Sequence, residues 1–408
     1  MTELASSFCQ VGNHGADTLK ILIFLNSLAG GGTERVAATL ANFWAGKSWN
    51  VTVVTMNPES DDFYRLDPGV RRIALDLAGE SGCLVDAVRQ NARRIAALRR
   101  ILNDLRPAVA LSMMSTPNVL LALASHNVSS VCTVGSEHCY PPHAPLGRLW
   151  SGLRKNMYGR LSAVVALTGE CAEWIRTHSS ATRVPVIPNP VVWPLPDHAP
   201  MIAPDALCRA GRQVLLAVGR LNAVKNYPVL LGAFARLASR HADWDLVILG
   251  EGPQRQALEA IVRDAHMDNR IFLPGIAGNV RAWYERADTY VMTSRSEGFP
   301  NSLAEALAHG LPAISVDCDT GPRDIIRHAI DGFLVPVNDA AQLERTMDRV
   351  MGDTGLRNSL AGRAVDARER FSIEKIAGMW EALFASLCGE TLPSHIARGA
   401  PVTERCGP

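Results

Sequence analysis

Short apolar runs without polar alternation constrain this chain more than any other feature. ILIFL at 21–25 contains no polar residue, and QVLLAV at 213–218, DLVIL at 245–249 and TYVMT at 289–293 keep theirs at the ends. A strand open to water on one face alternates. Runs of this kind therefore predict strands covered on both faces, as in a parallel sheet flanked by helices. Shorter or more polar runs at 51–55, 70–75, 109–112, 131–134, 164–167 and 313–316 continue the series, with helical patterns between them. The expected fold class is α/β, built from doubly wound, Rossmann-like sheets.

A chain of 408 residues exceeds one ordinary domain, and two are expected. Residues 1–18 read as a flexible polar leader, and VIPNP at 186–190 closes a first domain running over 19–193. A Pro- and Ala-rich linker covers 194–212, a second domain 213–370, a last helix returning toward the first domain 371–390, and a flexible tail 391–408. Apolar residues make up 47% and charged residues 20%, enough for packed cores and too apolar for disorder. A net charge of +1 excludes a general nucleic-acid binder held by bulk electrostatics. The nine cysteines are scattered with no CxxC pair, which predicts reduced thiols and a cytoplasmic setting. No apolar run approaches the roughly 18 residues that cross a bilayer. The run at 19–25 opens a strand–loop–helix pattern and lacks a cleavage site, so it is not read as a signal peptide.

The most informative stretch is SRSEGFPNSLAEALAHGLP at 294–312. Gly298 and Pro300 break the chain after a strand, Asn301 or Ser302 is placed to cap a helix, and Gly310 with Pro312 ends it. Glu297 then lies on a loop beside helix-terminal N–H groups that attract anions, and Glu305 lies about two turns further on. A carboxylate beside anion-attracting amides suits a phosphorylated sugar. By themselves the two glutamates are also consistent with an ordinary helix surface.

The motif EGFPNSLAEALAxGxP, with glutamates eight positions apart, resembles the signature of the family 4 retaining glycosyltransferases of bacterial polysaccharide and lipid-linked glycan type. The resemblance implies a GT-B architecture over 19–387, two such domains facing a cleft. It implies donor contacts from Glu297, Gly298, Phe299, Pro300, Asn301 and Ser302, with Glu305 on the nucleotide ribose. Other segments resemble the same family in order. Gly31 and Gly32 match a glycine pair that lets donor phosphates approach. Arg220 and Lys225, in GRLNAVKN, match a diphosphate clamp, Glu251 and Gly252 the next loop, and Ile276 the segment beside the base. An arginine grips phosphate oxygens bidentately and a lysine adds a mobile charge. His138, on the loop after the 131–134 run, matches a functional histidine of the family and could sense charge at the anomeric carbon. Close members often carry SER where this chain has SEH.

The expected reaction transfers a sugar from a nucleotide-diphosphate donor, UDP-linked, to a glycan or polyprenyl-diphosphate-linked acceptor bound by the first domain. Catalytic roles fall to His138, Glu297, Arg220 and Lys225. No cofactor is expected. Asp317 and Asp319 could flank a metal, but the triplet ends a strand where the family has a turn, and two cations already face the phosphates, so metal independence is expected. Two basic amphipathic helices at 86–105 and 146–161 suggest a peripheral contact with anionic lipid on the inner face of the membrane. From 81 to 195 there are twelve Lys/Arg against five Asp/Glu, a local excess of +7. Leu146, Leu149, Trp150, Leu153 and Met157 form the apolar stripe of the second helix. Solvated helix faces packed on a sheet explain the same pattern. A non-catalytic sugar-nucleotide or carbohydrate-binding protein would share the clamp. A dinucleotide enzyme would need GxGxxG and a following acidic residue, neither of which stands in the right place.

Overall fold

A computed structural model describes residues 19–79, 84–128 and 131–389. The leader and tail expected at 1–18 and 391–408 lie outside the described residues. The first sheet uses β1 (Lys20–Leu25), β2 (Asn50–Thr55), β3 (Arg71–Ala74), β4 (Val109–Met113), β5 (Cys132–Glu137) and β6 (Ala163–Ala166), in the spatial order β3-β2-β1-β4-β5-β6. Its helices are α1 (Gly32–Gly46), α2 (Leu84–Leu105), α3 (Ser115–Ala124), α4 (Arg148–Met157) and α5 (Gly169–His178).

The second sheet runs β12-β11-β10-β7-β8-β9. Its elements follow as β7 (Gln213–Val218), α6 (Tyr227–Leu237), β8 (Trp244–Leu249), α7 (Arg255–Asp264), β9 (Ile271–Gly275), α8 (Val280–Arg286) and β10 (Thr289–Met292). Then come α9 (Asn301–Ala308), β11 (Ala313–Val316), α10 (Pro322–Ile325), β12 (Gly332–Val335), α11 (Ala340–Gly352), α12 (Thr354–Ala364), α13 (Ala367–Arg370) and α14 (Ile373–Cys388).

All strand pairs in both sheets are parallel. Counted from its own first strand, each sheet has the same doubly wound order. The apolar runs explain this: Ile21 to Leu25 and Trp244 to Leu249 are buried at every position, because helices cover both faces. Strand order reverses between β1 and β4 and again between β7 and β10. At such switch points the loops part and leave a crevice at the carboxyl edge of the sheet.

The last helix packs on the first domain although it follows the second in sequence. Ile376, Ala377, Trp380, Leu383 and Phe384 of α14 join Trp44, Trp49 and the strands of the first sheet in one core. The Trp44 ring stacks on Trp49 with centroids 5.5 Å apart, and Lys47 pairs with Glu381 at 2.7 Å. The linker is strapped to the second domain: Asn279 Nδ2 donates to Ile202 O at 2.9 Å and Trp283 Nε1 to the same oxygen at 3.0 Å.

Two expectations are corrected. The helix expected over 146–161 starts at Arg148, and residues 158–160 tighten into a 3-10 turn. Its apolar stripe does not face outward as a unit. Trp150, Leu153 and Met157 pack on the core beneath, while Leu149 is left 66% exposed. Arg154 is drawn inward as well and lies 4.7 Å over the Trp174 ring, so it is not part of the surface charge. An amphipathic helix on a sheet buries its apolar side first. The second correction concerns α9: neither Asn301 nor Ser302 caps it. Pro300 occupies the N-cap position without a side-chain bond. Asn301 instead donates to Gly32 O of the first domain at 3.2 Å, and Ser302 accepts from Tyr290 at 2.8 Å.

Candidate functional site

Three switch-point loops build the centre of the site: one after β1, one after β7 and one after β10. Gly31 is the N-cap of α1, and Gly32 begins that helix. A Cβ on Gly32 would stand 3.1 Å from the Asn301 amide nitrogen, so the glycine lets the two domains meet backbone to side chain. Asn189, at the end of the first domain, donates to Asn301 Oδ1 at 2.9 Å and completes the bridge.

The loop after β7 carries Arg220, exposed to solvent, and Lys225 at the end of a 3-10 turn held by Asn222. Lys225 Nζ lies 2.6 Å from Glu297 Oε1, with the two side chains 19% and 13% exposed. The two residues expected on opposite parts of a sugar diphosphate are thus already a pair. Its neutrality makes half-burial tolerable, and a diphosphate arriving near Lys225 would compete with Glu297 for it. Arg220 makes no ion pair among the described residues and remains available.

Behind this loop, Glu251 of the β8–α7 connection pairs with Arg255 at the start of α7, and its carbonyl accepts from Leu221 N at 2.9 Å. Gly250, with φ +146°, and Gly252 let this loop lie against the β7 loop. A Cβ on Gly252 would fall 2.4 Å from Leu221 O. Ile276 is 50% exposed at the far edge, open to a planar base. Phe299 points away from the cleft into the second core, its ring 5.4 Å from Phe371, so its role is to anchor the loop.

His138 follows β5 and is buried. Its Nε2 meets Ser136 Oγ at 3.1 Å, and Nδ1 is buried without a partner among the described residues. Burial drives its pKa down from 6.5 to about 4, so the ring is neutral at pH 7. It can hydrogen-bond a substrate but is not a standing cation. Its carbonyl oxygen abuts the β10 loop: a Cβ on Gly298 would lie 2.1 Å from it.

Sequence reasoning missed the polar network that holds this loop. Glu137 is buried and accepts from Ser115 Oγ at 2.8 Å and from Tyr158 OH at 2.5 Å, and burial raises its pKa. Asn118 ties the network to Ser112 and to Ser136 O. These partners are spread over more than forty positions with no periodic signal. Arg35 was missed too, though a hint existed. A cation in the first turn of α1 opposes the helix dipole and needs a partner elsewhere. It finds Glu305, which is 4% exposed and is also approached by Tyr284 OH at 3.2 Å. Glu34 was missed as well; its carboxylate covers Gly31, so a phosphate approaching that glycine must displace it.

Asp317 pairs with Arg323 at 3.0 Å, and Asp319 meets His143 across the cleft at 2.6 Å. Among the described residues no group of three or more His, Cys, Asp or Glu is arranged to hold a metal. Among the described residues no disulfide joins the six described cysteines.

Two doubly wound domains with facing switch points, glycine loops on one side and a Lys–Glu loop pair on the other, define a GT-B type of glycosyltransferase. Residues 30–192 match the profile described as Glycosyltransferase Family 4, and residues 204–366 the one described as Glycosyl transferases group 1. The chain belongs to the family 4 glycosyltransferases. It is 27% identical over 370 residues to a Campylobacter jejuni α-1,4-N-acetyl-D-galactosaminyltransferase whose acceptor is named as a PP-undecaprenol glycan, with 90% of this chain and 99% of that one aligned. It is 28% identical over 386 residues to an exopolysaccharide phosphotransferase of Streptomyces coelicolor; the match takes 88% of this chain but spans only 39% of that protein. The fold is that of Anabaena HepE in complex with UDP, with a TM-score of 0.72 at 17% identity over 90% of this chain and 100% of that one.

Proposed function

We propose that this chain is a retaining glycosyltransferase that takes a UDP-linked sugar and extends a glycan, free or carried on a polyprenyl diphosphate. The observation that carries the reading is the convergence of the Gly31–Gly32 loop, the Lys225–Glu297 pair and the first turn of α9 at facing switch points. UDP is favoured by the nucleotide in the HepE complex, and a lipid-linked acceptor by the Campylobacter relative's name.

In this reading the diphosphate lies between the N-termini of α1 and α9, with Arg220 and Lys225 on its oxygens. Lys225, drawn to the diphosphate, leaves Glu297 to accept hydrogen bonds from the sugar hydroxyls, while Glu305 takes the ribose. The acceptor oxygen attacks C1 on the face from which the diphosphate departs. The C1–O(phosphate) bond breaks as the C1–O(acceptor) bond forms, and the acceptor proton passes to the leaving phosphate oxygen. Charge growing on that oxygen is stabilised by Arg220 and Lys225. Neutral His138 hydrogen-bonds the sugar near the reacting centre. No step uses a metal, and full transfer in excess EDTA is the expected result. Complete loss restored by Mn²⁺ would refute it.

The first domain would receive the acceptor at a lipid surface. Arg89, Arg93 and Arg100 of α2 and Arg148 and Lys155 of α4 are exposed, as are Val85, Val88 and Leu149. No helix among the described residues is long and apolar enough to cross a membrane, so the contact would be peripheral. Each basic side chain near anionic lipid adds about 1 kcal/mol, weakened by salt. Flotation with anionic liposomes at low salt, lost with neutral liposomes or high salt, is expected; protein left in solution throughout would point to a soluble acceptor.

The test of the main reading is a screen of nucleotide sugars for hydrolysis and transfer, with the product's anomeric configuration read by NMR. Retention of the donor's configuration is expected. Inversion would overturn the mechanism, and nucleotide binding with neither hydrolysis nor transfer would make the chain a binding protein.

A further inference from the structure

Glu305 has an unusual source of charge compensation. Its side chain is 5% exposed and belongs to α9 of the second domain, yet its ion-pair partner among the described residues is Arg35 of the first domain, 270 positions away. Among the described residues, no cation of the second domain pairs with it. Tyr284 supplies a phenol to Oε2 at 3.2 Å. His309, whose ring lies 5.2 Å from that of Tyr284, meets the Glu305 carbonyl rather than its carboxylate, and burial lowers its pKa. Arg35 is in turn prepared for this contact. Its Nε donates to Tyr64 OH at 3.5 Å, and its guanidinium sits 5.8 Å from the Tyr64 ring centroid. The Glu305 carboxylate raises the Arg35 pKa, which keeps the guanidinium charged.

A carboxylate this enclosed is costly without a counterion, and removing one partner of a buried pair costs far more than the pair contributes. When the domains part, Glu305 loses its partner Arg35 and must turn outward to water. When they meet, the ion pair fixes it. We propose that Arg35 is a positioning residue that makes nucleotide recognition depend on docking of the first domain: Glu305 is a competent acceptor for ligand hydroxyls only while Arg35 holds it across the cleft. The inference rests on the assignment of Glu305 to the donor ribose. The first domain would thereby take part in donor binding, and donor occupancy would in turn favour the docked arrangement by the same free energy, because linkage is reciprocal.

Calorimetric titration with UDP tests this on the full chain, using the wild type, Arg35→Ala, Arg35→Lys, Glu305→Gln and the Arg35→Ala/Glu305→Gln double variant. Arg35→Ala should weaken UDP by between about 5- and 150-fold, the usual range of coupling between sites. The double variant should be no worse than the weaker single one, since both act through one carboxylate. Arg35→Lys, which keeps the charge without the planar fork, should recover part of the loss and guards against a fold defect in the alanine variant. Solution scattering without ligand should give a larger radius of gyration for Arg35→Ala than for the wild type. UDP binding to Arg35→Ala as tight as or tighter than to the wild type would mean that Arg35 competes with the ligand, and would overturn the proposal; so would additive losses in the double variant. If the wild type binds no UDP, the donor assignment fails on its own account. Scattering then still decides the remaining claim: equal radii would refute the role of Arg35 in docking.

Discussion

Replacing Gly298 with alanine separates catalysis from folding more cleanly than removing any charged residue. The added Cβ would stand 2.1 Å from the carbonyl oxygen of His138 and 3.3 Å from the Cys139 Cα, all backbone of the opposite domain. Ordinary contact begins near 3.4 Å, so the two loops must part by about 1.3 Å (3.4 − 2.1). Backbone cannot rotate out of the way as a flexible side chain would. The Gly298 conformation is open to alanine, and the clash arises only between domains, so separation relieves it. Each domain should therefore keep its own stability, with a change below about 1 kcal/mol, as for substitutions that strain no core. Transfer should suffer much more. A displacement of about 1 Å in a reacting constellation costs on the order of 100-fold in rate, or about 2.7 kcal/mol of barrier. The assay is kcat at saturating donor and acceptor, measured beside thermal unfolding. Activity within threefold of the wild type would show that the His138 and Gly298 loops need not touch during turnover. A large fall in melting temperature would show that the contact belongs to folding rather than to closure.

Lys225→Ala should lose roughly 2–4 kcal/mol of transition-state stabilisation, as for removal of an oxyanion donor, read as a fall in kcat/KM; unimpaired transfer would remove Lys225 from the clamp. Glu297→Gln should impair transfer while nucleotide affinity stays near the wild type, whereas Glu305→Gln should weaken the nucleotide itself; the reverse pattern would exchange their roles. His138 sets an acid limit on stability. Its folded pKa of about 4 lies below the unfolded 6.5, so the unfolded chain binds the extra proton first, and stability is lost as pH falls from about 6.5 to about 4. The loss amounts to roughly 3 kcal/mol. Melting temperatures from pH 7 to 4 should therefore fall less steeply for His138→Gln than for the wild type, and parallel curves would show that the ring is not the group responsible.

The sequence by itself determined the sheets. A run such as ILIFL can only be satisfied by cover on both faces, and its periodicity is local, so it reads directly from five neighbouring residues. The loops after β1, β7 and β10 were legible for a similar reason: glycines and polar residues following such runs mark the carboxyl edge of a parallel sheet, where open α/β folds bind ligands. Tertiary structure decided how the charges meet. Lys225 and Glu297 lie 72 positions apart, and Arg35 and Glu305 lie 270 apart, so no local pattern pairs them. Burial also decided the state of His138, because desolvation depends on how the whole fold encloses the ring. The same competition turned Trp150, Leu153 and Met157 of α4 toward the core and sent Asn301 across the cleft instead of onto its own helix. Local chemistry offers a side chain several partners, and packing of the whole chain leaves room for one.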